Sequence, residues 1–143
     1  MSPEVDQILM LSASQLMGTL APSLPDGYAQ GQAALLSFMM IMSAREFERA
    51  ADIRVNENAD MRALFRELAE DVADQGLRAR LKAAATTRDE SLAISALNRS
   101  NGELRQVLIA LQTYAEDKEN RPAQARIWDA LKRSAASRLV KLA

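Results

Sequence analysis

Apolar positions along this chain recur with the 3.6-residue period of an α-helix almost from end to end. Val5, Ile8, Leu9, Ser12 and Leu16 share one face, behind a helix start at Ser2-Pro3-Glu4. There Ser suits the cap, Pro the first turn, and Glu the positive end of the dipole. Gly18 is the expected stop, and residues 21–27, APSLPDG, read as a loop. A long helix is expected from Asp26 or Gly27 to about Asn56. A break follows at Asn56-Glu57-Asn58, with Asn58 capping the next helix. That helix carries the stripe Met61, Leu64, Phe65, Leu68 and Val72 and ends at Gly76. A short basic helix runs from Leu77 to about Ala85. Thr87 and Glu90 have capping-box spacing, so helix is expected over Arg88–Glu119, with Ala93, Leu97, Leu104, Leu108, Leu111 and Ala115 on its stripe. Asn98–Gly102 interrupts that stripe, and Ser100 with Glu103 repeats the capping-box pattern, so the segment is one weak-waisted helix or two. The last helix lies between Pro122 and Leu142. No run of β-branched or aromatic residues alternates as a strand would. The expected fold is all-α: a single domain over residues 1–143, an irregular bundle of five or six helices, two of them long.

Composition agrees. In 143 residues there are 5 Gly and 4 Pro, and 48% of positions are hydrophobic, enough for a core without disulfide or metal staples. The chain has no Cys and no His. That removes thiol catalysis, the Ser-His-Asp triad, zinc fingers, haem ligation through His or Cys, and the carboxylate–His di-iron site. There is no phosphate loop, Gly-rich dinucleotide turn or G-x-S-x-G elbow, so no cofactor is expected. Lack of Cys gives no support for an oxidising compartment. No Lys or Arg precedes Arg45, which fits neither a secretory signal nor a transit peptide. The most apolar run, Ala33–Ala44, would rise only about 18 Å as a helix, against a hydrocarbon core of roughly 30 Å. The expected location is cytoplasmic, with no membrane partner.

Charge is unevenly spread. Residues 1–75 carry 5 basic and 12 acidic side chains, and residues 76–143 carry 13 and 7. The basic half contains acids throughout and lacks the aromatic–basic interleaving of single-strand binders. Acidic and basic helices packed side by side account for the split, and no nucleic-acid partner is expected. The final helix is basic and amphipathic, with Trp128, Leu131, Ala135, Leu139 and Leu142 on one side; packing onto the acidic helices is its expected role.

Two groups of carboxylates are candidates for chemistry. Glu67, Glu70, Asp71 and Asp74 lie in the run ELAEDVAD, downstream of Glu46, Glu48 and Asp52. Two acidic helices in a hairpin can hold Mg²⁺. Over Glu46–Asp74 the pattern resembles the all-α nucleoside triphosphate pyrophosphohydrolases, in which a paired-Glu motif on one helix faces an ExxD-type motif on the next. The resemblance implies Mg²⁺-dependent phosphohydrolysis, with Glu46 and the Glu67–Asp74 acids as catalytic candidates. The chain departs from the family at the first motif, where Glu46-Phe47-Glu48 replaces the adjacent pair. On a helical wheel Glu67, Glu70, Asp71 and Asp74 also point away from the apolar stripe, as a solvated face does.

Glu46 has a different phase. It falls with Leu35, Met39, Met42, Ala50 and Ile53 on the expected core stripe, so its carboxylate is expected to be buried against Ser100, Asn101 or Arg99. Ser100 and Asn101 interrupt the stripe of their own helix, and the two interruptions could meet as one polar layer. Six methionines follow Met1, all at or before Met61. Methionine fills irregular core gaps and also serves adaptable binding surfaces. The expected function is therefore non-enzymatic: self-association, as a homodimer, or partner binding through the Met-rich apolar face, with Met39, Met42, Glu46 and Asn101 as ligand or interface candidates. The alternative is a small-molecule protein, either an apolar-ligand binder or the Mg²⁺-dependent phosphohydrolase.

Overall fold

The computed structural model describes residues 4–139, which hold five α-helices and no strand. The expected cap at Ser2-Pro3 and the expected end at Leu142 lie outside the described residues. The helices are α1 (Val5–Gln15), α2 (Gly27–Leu68), α3 (Gln75–Thr86), α4 (Ile94–Asp117) and α5 (Arg121–Arg138). The two long ones, α2 and α4, have 42 and 24 residues. Gly18 does not stop the first helix; the chain loosens into a π-helical turn over Leu16–Leu20 and a 3₁₀ turn over Ala21–Ser23. Three later helices begin on side-chain caps. The Ala29 amide donates to Asp26 at 2.7 Å, that of Leu77 to Asp74 at 2.6 Å, and that of Ala123 to Asn120 at 3.2 Å. Gly76 lies in the first turn of α3 rather than ending the helix before it, which closes through a 3₁₀ turn at Ala69–Asp71.

The described residues form two compact units, Glu4–Ala50 and Ala51–Leu139, with α2 contributing to both. The second is an irregular bundle of the end of α2 with α3, α4 and α5. Its fully buried large side chains come from all four helices: Phe65, Leu81, Leu97, Leu111 and Ile127. In the first unit the buried positions are all small: Ala13, Ala21, Ala33, Ser37 and Ala44.

One expected boundary is absent, one is displaced, and the open choice at Asn98–Gly102 falls to a single helix, for one shared reason. α2 runs unbroken through Asn56-Glu57-Asn58, α4 runs unbroken through Asn98–Gly102, and α4 begins at Ile94 rather than Arg88. Polar side chains in these segments would compete locally with the helix if left to themselves. Here they bond across the bundle instead: Asn58 to Asp89, Asn101 to Asn58, Ser100 to Asp89, and Asn98 to Arg54. Thr87 accepts from Arg62 at 3.0 Å and donates to the Ala84 carbonyl, which holds residues 87–89 outside any helix, so the Thr87–Glu90 capping box does not form.

Candidate functional site

In the second unit a polar network crosses the bundle. Its members on α2 are Arg54, Glu57, Asn58 and Arg62, spaced at one helical turn or less so that they share a face. Arg62 makes a two-pronged pair with Asp89, Nη1 to Oδ2 at 3.1 Å and Nη2 to Oδ1 at 2.8 Å, and also reaches the Ser100 hydroxyl at 2.9 Å. Asn58 donates to Asp89 at 2.9 Å and accepts from Asn101 at 2.9 Å, linking this cluster to a second one. There Glu57 accepts from Asn101 at 3.2 Å, from Ser134 at 2.8 Å, and from Nε and Nη2 of Arg138. Glu57, Asn58, Arg62 and Asn101 are buried, yet among the described residues no buried side-chain polar atom lacks a partner. Such saturation is what makes a buried ionic layer tolerable.

The network sets its own ionisation. Burial works to raise the Glu57 carboxyl, but hydrogen bonds from Arg138 and Ser134 and the charges of Arg138 and Arg54 outweigh it, and the group lies below its usual range. The Arg62 hydrogen bond holds the Asp89 carboxyl low against its burial, helped by Ser100 and Asn58. Groups whose folded pKa is depressed contribute stability that is complete above the unfolded value and is lost as pH falls through the folded one. With unfolded values of about 4, the urea midpoint should be level near neutrality and fall below about pH 5. The Glu57→Gln, Asp89→Asn double variant should show a flatter acid limb. Identical acid limbs for variant and parent, followed by circular dichroism, would contradict this assignment.

The carboxylates singled out from the sequence are placed elsewhere. Glu46 is exposed, not buried. Its phase with Leu35 and Met39 is as expected, but that stripe is open to solvent at these residues: Leu35 and Met39 are 53% and 56% exposed, and Met42 is half-buried. The buried carboxylate is Glu57, 11 residues further on. That spacing is three helical turns to within about 20°, so Glu57 shares the phase of Glu46. Of the acids in ELAEDVAD, Glu67 pairs with Arg126, Glu70 pairs with Lys82, and Asp74 caps α3. The Lys82 hydrogen bond and charge lower the Glu70 carboxyl. All four, Asp71 included, are exposed. Among the described residues no three acidic side chains gather as a metal site would require. Asn101 does join a buried polar layer, and Ser100 stands beside it.

The first unit presents the other feature. Twelve of the seventeen exposed large apolar side chains among the described residues lie in it, between Val5 and Phe47. On α2 the phases divide sharply. At about 100° per residue, the buried Ala33, Ser37 and Ala44 fall within a narrow arc, while Tyr28, Leu35, Met39 and Met42 fall on the opposite side. The chain covers the small-residue face and leaves Tyr28, Leu35 and Met39 of the large-residue face open, with Met42 half-buried.

No protein-family model, curated protein or solved structure matches this chain.

Proposed function

We propose that this chain acts by self-association, and that the bare α2 face of the first unit, centred on Leu35 and Met39, is where a second copy docks. The observation that carries this reading is the reversed polarity of that helix: large apolar residues outward, small ones inward. On that face Tyr28, Leu35 and Met39 are 79%, 53% and 56% exposed. Singly scattered apolar residues are ordinary on a protein surface, whereas a run of them along one open helix face marks an interaction surface.

Charge favours a second copy over other occupants. Between Val5 and Ala44 the only charged side chains are Asp6 and Asp26. A two-fold interface brings a patch against itself, so a patch almost free of charge avoids like-charge repulsion. Helices that lie on membranes are rich in Lys and Arg, and this stretch has neither. Among the described residues, no helix is long and apolar enough to cross a membrane.

Sedimentation equilibrium over a range of loading concentrations tests the proposal, with a dimer mass expected at about 10–100 μM, micromolar being the weak end of ordinary protein interfaces. A monomer mass that does not change with concentration overturns it. So does co-sedimentation of the chain with anionic vesicles in place of self-association, which would assign the face to lipid.

A further inference from the structure

A cleft of about 490 Å³ opens in the second unit between the segment that follows α3 and one face of α4. Its lining joins the apolar Ala84, Ala96, Leu104 and Val107 to Thr87 and Ser100, and the exposed Arg88, Glu90, Arg99 and Glu103 form its rim. We propose that this cleft binds a small zwitterion with an apolar body, in the chemical class of free apolar amino acids and their dipeptides.

Three observations converge on that class. The volume lies within the ordinary range of small-molecule sites, about 300–1,000 Å³, and the lining sets polar and charged side chains beside apolar ones, as a ligand with both characters requires. Next, the rim charges are unspent. Among the described residues Arg88, Glu90, Arg99 and Glu103 make no ion pair and no side-chain hydrogen bond, so all four are available to a ligand. Each wall offers one cation and one anion. Arg99 and Glu103 are one turn apart on α4, and Arg88 and Glu90 flank Asp89 on the connecting segment. A ligand of single charge would satisfy half the rim and face repulsion from the other half. A zwitterion satisfies both.

The third observation is that the segment bearing Arg88 and Glu90 is held in place. Asp89 turns inward to Arg62 and Asn58, Thr87 accepts from Arg62, and Ser100, at the cleft wall, bonds both Arg62 and Asp89. Asp89 is half-buried, while its neighbours Arg88 and Glu90 are exposed and line the cleft. The buried network thus pre-organises the rim, which is how binding groups are kept in a productive geometry.

Isothermal titration of the full chain decides the matter, with L-leucine, L-tryptophan and the dipeptide Leu-Leu as probes. The controls are 4-methylpentanoate, which lacks the ammonium group, and isoamylamine, which lacks the carboxylate. Saturable binding of at least one zwitterion is expected, with both single-charge analogues weaker by about tenfold or more, the scale of one charge-assisted hydrogen bond. Arg99→Gln and Glu103→Gln should each weaken that zwitterion by a similar factor while leaving the urea midpoint unchanged, since both side chains are exposed. Arg88→Gln repeats the test from the opposite wall. No saturable binding up to about 10 mM, the weak end of specific recognition, overturns the proposal. So do analogues that bind as tightly as the zwitterion, or unaltered binding in all three variants. The cleft lies within the second unit, so the titration is independent of whether the chain dimerises.

Discussion

Asp89→Ala should lower the unfolding free energy by about 3–5 kcal/mol, the usual cost of leaving a buried charge without its partner. Arg62 and Asp89 are about 10% and 13% exposed at their side chains, so water can do little for the cation that remains. Arg62 would keep its bonds to the hydroxyls of Thr87 and Ser100, but Asn58 and Ser100 would each lose an acceptor as well. Removing both charges is the informative comparison. In the Arg62→Met, Asp89→Ala double variant no buried charge remains in this cluster, and the loss should be smaller than for Asp89→Ala alone. Glu70→Ala, which breaks the exposed pair with Lys82, should leave the urea midpoint where it is. If Asp89→Ala unfolds within about 0.5 kcal/mol of the parent, the range of an ordinary surface substitution, the network does not hold the bundle together.

That network also marks the limit of what the sequence alone discloses. Periodicity is a local signal, and it marks as helical every stretch that the five α-helices occupy, though it divides α2 in two, because Gly and Pro are scarce and the apolar stripes are long. Capping motifs are local too, but whether a side chain caps a helix depends on what else it can reach. Asn58 and Ser100 have the chemistry of caps and the spacing of boundaries. Each finds a partner across the bundle, and the helix continues through it. Treating Asn56-Glu57-Asn58 as a break hides Glu57 from the core stripe, although its phase is that of Glu46, three turns earlier. Extending one helix through that triplet would have brought Glu57, Asn58 and Arg62 onto the side facing Asn101. The cleft leaves no comparable trace. Arg88 and Glu90 adjoin it because Asp89 is anchored 27 residues from Arg62 along the chain, a contact that no helical period encodes.

The same logic explains why a core-like stripe can lie open. Helical phase places Leu35, Met39 and Met42 with Ile53, and it says which residues share a face without saying what covers that face. Ile53 is buried, while Leu35 and Met39 are not. If a second copy supplies the missing cover, Met39→Glu should convert the dimer to a monomer. The side chain is more than half exposed in the single chain, so a carboxylate there meets water and costs the fold little. In the dimer it would be desolvated at the centre of the patch and set near its symmetry mate. Disruption of an interface centre of this kind costs about 2–4 kcal/mol, or roughly 30- to 1,000-fold in Kd. Leu35→Glu, one turn away on the same face, should act likewise. Ile109→Glu is the matched control: Ile109 is as exposed as Met39 but belongs to the second unit, and its charge should leave the mass at dimer. Helicity by circular dichroism should be unchanged in all three. Dimers that persist in both Met39→Glu and Leu35→Glu would move the interface off this face of α2, and dissociation by Ile109→Glu would place it in the second unit instead.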